Sequence, residues 1–390
     1  MHIAQRIQSI TLAPMDEINT RVAALGREGA QVINLGQGVP GFPPATGAIH
    51  SARQALPDST THVYSADAGI LSLRRMVSVW LAEQNQIEAD PDTEMFITAG
   101  ANQAFMVALL TLLEPGDGVL LPSPFYFNHE MSIRVAGGVP LEVPLREETG
   151  FQLTLEELEP YLETQPRALV VTSPNNPTGA VYDPEELQRI ARVAASRGVV
   201  LITDETYQDF LYEGAEHFSM ASIPEARPQV ITIGSFSKIF SLTGWRVGYL
   251  IAEPAFMEQA LKVQDSMIVC AAVISQIAAL GALRDSLKEV PRRREILGER
   301  RLLLVQRLAE IPQLRWQPTR GAFFAFVGVD GCTDSAALAR DILERAHVAT
   351  VPGSAFGQSG EGYLRLSYGS VETSDLEEAC RRLTEYFRST

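Results

Sequence analysis

A largely parallel α/β sheet covered by helices on both faces, followed by a smaller α+β domain, is the architecture this sequence predicts. Three observations lead there. The short β-branched runs ALVVT (168–172), VVLIT (199–203) and VITI (230–233) end about 30 residues apart, the length of a strand–helix–strand crossover. Between the first two lies DPEELQRIARVAASRG, with Asp183 as N-cap, Pro184 at the first helical position, Glu186 closing a capping box and Gly198 as the stop. The runs are continuously apolar rather than alternating, which suits strands buried on both faces.

Taken in order, the N-terminal QVINL is a short strand with no helix of its own, and residues 1–45 are expected to form an arm that packs with the C-terminal domain. Residues 46–285 are expected to form the large domain. Within it, a strand over 94–98 runs through AGANQA into an apolar helix over 105–113, and the three crossover strands follow. Past about residue 285 the pattern changes to a charged helix over 290–310, the alternating segments GAFFAFVGV and GYLRLSYG, and a last helix over 376–387 behind a Ser374/Glu377 capping box. These make residues 286–390 the small domain. Arg292, Arg293, Arg294, Arg300 and Arg301 share the long helix with Glu289, Glu295 and Glu299, which reads as a solvated face.

The formal net charge of −15 sets the whole chain against nucleic-acid phosphates and anionic membranes and favours a small-molecule partner. Cys270, Cys332 and Cys380 are odd in number and far apart, fitting neither a disulfide framework nor a metal knuckle. No apolar stretch approaches the ~18 residues of a membrane span. A cytoplasmic protein in a reducing compartment is expected. The histidines show no HExxH-type spacing, and no catalytic metal is expected.

Parallel sheets present ligands at the carboxyl ends of their strands, which directs attention to SPNNPTG (173–179), DETYQDF (204–210) and GSFSK (234–238). The literal GxGxxG at 36–41 is set aside as a dinucleotide site, because Pro43 and Pro44 follow where a helix would have to open. Lysine is scarce: all but three of the 32 Lys and Arg residues are arginine, the exceptions being Lys238, Lys262 and Lys288. Lys262 and Lys288 sit among polar neighbours on helical segments, whereas Lys238 follows an apolar strand. An amine that forms an imine must be crowded and partly desolvated. An imine cofactor with a phosphate and a pyridine ring also needs an acid for the ring nitrogen, donors for the ring oxygen, a helix N-terminus for the phosphate and an aromatic face. Asp204, Tyr207, Asn176, Ala101, Asn102 and Tyr126 offer these at strand ends. Each has an ordinary reading as cap, turn or core residue; their joint occurrence does not.

At this point SFSKIFSLTGWRVG (235–248) resembles the lysine signature of the class I/II pyridoxal-phosphate-dependent aminotransferases, of the fold-type-I, aspartate aminotransferase-like superfamily. NLGQGVPGFPP, YSADAG, AGANQA, SPNNPTG, DETYQDF and YLRLSYG accompany it in order over residues 30–370. The resemblance implies a mostly parallel seven-stranded sheet in the large domain, pyridoxal 5'-phosphate on Lys238 as internal aldimine, and Asp204 on the pyridinium nitrogen. It implies Tyr207 and Asn176 on the ring oxygen, and a phosphate held by Arg246, Ser235, Ser237 and the Ala101 and Asn102 amides. Tyr126 would stack on the ring, Arg365 and the Gly38 backbone would take the substrate carboxylate, and Tyr64 would reach the partner's cofactor phosphate in a homodimer. Periodicity alone leaves Arg365 either in the site or facing water. The implied activity is transamination between an L-amino acid and a 2-oxo acid. The GQGVPGFPP opening is most like branches acting on uncharged or large side chains. A lyase or cyclase on the same scaffold is the alternative, and a nicotinamide dehydrogenase a remote one.

Overall fold

The computed structural model describes residues 2–389. The N-terminal segment contributes β1 (Ile33–Asn34), which pairs in parallel with residues Val348–Ala349 of the C-terminal region. Seven strands then build the central sheet: β2 (Met95–Thr98), β3 (Gly118–Ser123), β4 (Val139–Pro144), β5 (Ala168–Thr172), β6 (Val200–Asp204), β7 (Val230–Ser235) and β8 (Gly248–Ile251). Their order is β2-β8-β7-β6-β5-β3-β4, and β8 alone runs against its neighbours.

The continuous apolar character of these strands has a direct structural counterpart. Alternate residues enter two separate cores. Leu120, Leu169, Val171 and Leu201 pack on one face with Leu187, Ile190 and Ala194 of helix Pro184–Ser196. Val119, Val170, Ile202 and Ile231 pack on the other with Phe105 and Ala108 of helix Ala101–Leu112. A strand buried on both faces cannot show a polar-out alternation, and every residue of β5 is buried.

Helix Pro184–Ser196 starts as expected, with the Asp183 carboxylate accepting from the Glu185 and Glu186 amides and Gly198 in the left-handed region at φ +72°. The reciprocal half of the capping box does not form. The Glu186 carboxylate instead accepts from the Leu155 amide, an N–H left free at the start of helix Leu155–Leu162, and the Asp183 amide turns to Gln152. The last helix spans Thr373–Ser389, so Ser374 lies inside it rather than capping it, and the Glu377 carboxylate pairs with Arg307.

The C-terminal region adds β9 (Leu314–Arg315), β10 (Phe324–Val329), β11 (Val348–Ala349), β12 (Val351–Pro352) and β13 (Tyr363–Ser367). Four of these form an antiparallel sheet in the order β12-β13-β10-β9, over a core shared with Leu297 and Leu304 of helix Val290–Leu308. The face of that helix corrects one expectation. Arg292 and Arg294 are exposed, but Arg293, Arg300 and Arg301 are buried. The helix lies where carbonyls from several loops converge, and buried backbone oxygens need donors. Arg301 donates to the Thr319 carbonyl and pairs with Glu213. Lys262 and Lys288 are exposed, as their sequence neighbours suggested. Among the described residues no helix is long and apolar enough to cross a membrane.

Candidate active site

Every candidate residue except Tyr64 lines one cavity of about 260 Å³ at the carboxyl ends of the parallel strands. The strands deliver the groups in turn. Asn176 lies in the turn after β5, and Asp204 is the last residue of β6, with Tyr207 just beyond it. Ser235 ends β7 and caps the short helix Phe236–Ile239 that carries Lys238, its hydroxyl accepting the Ser237 amide. Arg365 comes from β13 of the small sheet. Leu364 and Leu366 enter the small-domain core while Arg365 points into the cavity, which settles the orientation that strand periodicity left open.

The Lys238 ammonium nitrogen donates to the Gly38 carbonyl at 2.6 Å. Burial, then the nearby positive charges of Arg365 and Arg246, pull its pKa down to about 8, against the attraction of Asp204. Burial is the largest single influence on Asp204 and works against its charge, but the donors around it together prevail: His129 Nε2 lies 3.1 Å from Oδ2 and donates there. With the Thr206 amide at 3.1 Å on Oδ1, this holds the Asp204 carboxyl below its ordinary range. Burial raises the phenols of Tyr126 and Tyr207, so both remain donors at neutral pH.

Arg365 is 2% exposed. It donates from Nη1 to Asn176 Oδ1 at 3.0 Å and from Nη2 to the Gly36 carbonyl at 2.6 Å, and its Nε–H has no protein partner. Its guanidinium lies over the rings of Phe324 (4.7 Å) and Phe356 (5.0 Å). Burial lowers its pKa to about 10, so it stays cationic at neutral pH. Tyr64 is 78% exposed and stands outside the cavity of its own chain.

Sequence reasoning missed His129, Phe324 and Phe356, and the outer wall formed by Met15, Asn19, Gln37, Val39 and Phe127. His129 had a signal: it follows Tyr126 by three residues at the start of helix Phe127–Val135, where that spacing places two side chains on one face. The wall had none, because nothing local marks residues near 15 as neighbours of residue 127.

The cavity suits an elongated group that is anionic at one end. Helix Ala101–Leu112 points its free N-terminal amides into it. Gly100, at φ +82°, lets the Arg246 guanidinium sit where a Cβ would lie only 2.6 Å from Nη2. Ser235 and Ser237 complete that end, Lys238 supplies a partly deprotonated amine, Asp204 supplies a fixed anion, and the unpartnered Nε of Arg365 awaits an acceptor. A phosphate, a carbonyl able to form an imine and a basic ring nitrogen match the first three of these positions, and a carboxylate matches the fourth, at Arg365.

Comparison with known proteins agrees. Residues 30–383 match the model of the aminotransferase class I and II family. The chain is 39% identical over 368 residues to aromatic-amino-acid aminotransferase 2 of Thermococcus litoralis, covering 94% of this chain and 93% of that one. It is 39% identical over 360 residues to an aspartate aminotransferase of Pyrococcus abyssi, covering 92% of each. The solved structure of an aromatic aminotransferase from Pyrococcus horikoshii superposes with a TM-score of 0.89 at 38% identity, over 94% of this chain and 99% of the other.

The chain therefore belongs to the class I and II aminotransferases, with the fold of that superfamily. It is a transferase that uses pyridoxal 5'-phosphate and acts on an amino acid and a 2-oxo acid. Neither the lyase or cyclase alternative nor the dehydrogenase is favoured.

The pairing of His129 with Asp204 makes a prediction for the protein without cofactor. A His129→Leu change leaves a buried carboxylate short of a donor and should cost about 1–3 kcal/mol of stability, read as a lower urea midpoint at neutral pH. An unchanged midpoint would mean that Asp204 does not depend on the imidazole.

Proposed function

We propose that this enzyme exchanges amino groups between amino acids with uncharged or large side chains and 2-oxo acids, with Lys238 as the cofactor-binding and proton-moving residue. One observation carries the assignment of roles: a depressed amine at a strand end, in the same cavity as a carboxylate held ionised and a buried arginine with an open donor. When bound there, pyridoxal phosphate supplies an electron sink that acidifies the substrate Cα–H. The Lys238 Nζ takes that proton and holds it for return. Asp204 pairs with the ring nitrogen, and Tyr207 and Asn176 donate to the ring oxygen. Tyr126 stacks on the ring. Arg246, Ser235, Ser237 and the amides of Ala101 and Asn102 hold the phosphate. Arg365 grips the α-carboxylate, for which a planar, always-charged fork is suited, with Asn176 and the Gly38 backbone beside it.

The substrate class follows from the cations at hand. Those lining the cavity are Lys238, Arg246 and Arg365, and each has a task in this reading. The outer wall of Met15, Asn19, Gln37, Val39 and Phe127 carries no charge, so it favours a neutral or aromatic side chain over a second carboxylate. The matched relatives include enzymes named for aromatic amino acids and for aspartate.

The same reading takes residues 46–285 as the cofactor-binding domain and 286–390, joined by residues 1–45, as the small domain. It makes the enzyme a homodimer in which Tyr64, exposed beside Val63 and near the exposed Leu56 in sequence, reaches the partner's cofactor phosphate. A reducing, cytoplasmic setting accords with three free cysteines.

Three expectations follow from these roles. Borohydride reduction of the holoenzyme should place the pyridoxyl label on Lys238, and capture of pyridoxal phosphate by the apoenzyme should quicken as pH rises through about 8, since only the neutral amine attacks. Label on Lys262 or Lys288 would overturn the assignment. In a donor panel with 2-oxoglutarate and pyruvate, aromatic and other uncharged amino acids should show a higher kcat/KM than aspartate, and a strong preference for aspartate would refute the substrate class. A Tyr64→Phe change should weaken cofactor retention by about 1.5–3 kcal/mol, the scale of a hydrogen bond to a charged group; a fully active monomer in sedimentation would exclude the shared site.

A further inference from the structure

Three backbone segments that carry cavity groups meet one face of helix Val290–Leu308. Residues 36–43 hold Gly38, the turn after β7 holds Lys238, and the turn after β13 follows Arg365. The first segment acts as a strut between the other two. Its Gly38 carbonyl accepts from Lys238 and its Gly36 carbonyl from Arg365. Backbone bonds tie it and the residues flanking it to both sides: Gly41 N–H to the Gly369 carbonyl (2.7 Å), the Ser367 N–H to the Leu35 carbonyl just before it (2.6 Å), and the Ala45 N–H just after it to the Phe240 carbonyl (3.0 Å). The approach at Gly41 is close, since a Cβ there would lie 3.0 Å from the Gly369 carbonyl oxygen.

Two arginines, two turns apart on the helix, clamp these ties. Arg293 donates from Nη1 to the Ile239 carbonyl and the Ser241 hydroxyl, each at 3.1 Å, and from Nη2 to the Pro43 carbonyl at 3.1 Å and to Glu289 at 2.9 Å. Arg300 donates to the Gly369 carbonyl at 3.2 Å and to Glu372 at 3.1 Å. Both guanidiniums lie over the ring of Phe42, 5.7 Å from its centroid, and both residues are over nine-tenths buried. Burying two guanidiniums is a costly way to pack a helix. What they gain here is position: Ile239 adjoins Lys238, Pro43 belongs to the strut, and Gly369 lies just beyond Arg365.

We infer that the cluster of Arg293, Phe42 and Arg300 is a positioning device for the reaction, fixing the strut 36–43 and with it the separation between the Lys238 amine and the Arg365 guanidinium. The inference rests on the proposed roles of those two residues. Both must address one substrate carbon, Lys238 at its proton and Arg365 at its carboxylate, and Arg365 comes from the other sheet. The helix that sets their relative placement therefore acts on the chemistry without touching substrate.

The test uses Phe42→Leu and Arg300→Lys in the full-length enzyme, with Phe42→Tyr as the conservative control. Misplacing reacting groups by about 1 Å costs on the order of 100-fold, so kcat/KM should fall by roughly that factor in the first two variants. Affinity for pyridoxal phosphate should stay within about threefold, because the strut does not touch the phosphate end. In the apoprotein, amide hydrogen exchange at residues 36–41 and 367–369 should quicken by about tenfold or more. Phe42→Tyr should restore wild-type values for all three. A folded Phe42→Leu enzyme with wild-type kcat/KM overturns the inference, whether or not exchange quickens or the melting temperature falls. Slow kinetics with unchanged exchange overturns it too. Failure of the underlying reading looks different: the wild-type enzyme would then lack transamination or would carry its label away from Lys238.

Discussion

Lys238, Arg246 and Arg365 share a confined cavity with one fixed anion, Asp204, and the remaining features of the site are arranged around that imbalance. Arg246 is exposed at the edge of the cavity, whereas Arg365 and Asp204 are buried and Lys238 half-buried, and charges desolvated together interact far more strongly than on a surface. The excess of cation is not neutralised by another side chain, for the Arg365 Nε has no partner and Lys238 finds only a backbone carbonyl. The site is therefore built to receive negative charge at both ends. Against a formal charge of −15 for the whole chain, the cavity gathers three cations around one anion and so offers acids a local attraction. Asp204 is the exception that needs support, and His129 and the Thr206 amide provide it.

The parallel sheet explains why so many of these groups come from so few places. Strands β5, β6 and β7 run in the same direction, so their last residues reach one rim together. The sheet cannot supply a group facing that rim from outside. Arg365 does so from β13, and its location depends on how the smaller sheet is held against the larger one. That contact joins apolar packing, with Phe326 and Tyr363 against Phe151 and Phe356 against Phe127, to polar ties between backbone segments that are anchored on buried arginines of one helix. The polar ties add directional bonds of set distance and angle to that packing.

How far the sequence foretold this depends on the range over which each signal acts. The crossover strands, their parallel direction and the Asp183 cap are local or nearly so, and they stand as expected. The cavity was legible because strand ends in a parallel sheet must converge, and because lysine is too scarce for Lys238 to pass as one surface residue among many. The misreadings share a cause. Glu186 and Glu377 had a local partner by spacing but a better one elsewhere, in the Leu155 amide and in Arg307. The arginines of helix Val290–Leu308 look solvated beside their glutamates, and only the fold brings the carbonyls of Ile239, Pro43 and Gly369 to them. Phe324 and Phe356, which face Arg365, were hidden among ordinary apolar segments for the same reason.

The lysine count has a consequence for chemical selectivity. An aldehyde condenses with whatever unprotonated amine it meets, and a cofactor of that kind is a reagent as well as a ligand. A guanidinium, with its pKa above 12, offers no free amine at physiological pH. By carrying almost all of its positive charge as arginine, with only Lys262 and Lys288 as other lysine side chains, the protein keeps its ion pairs and its solubility while presenting few competing sites to carbonyl compounds. Its exterior is close to inert toward the very functional group its interior is made to capture, so stray adducts are limited by composition before any binding selectivity is applied.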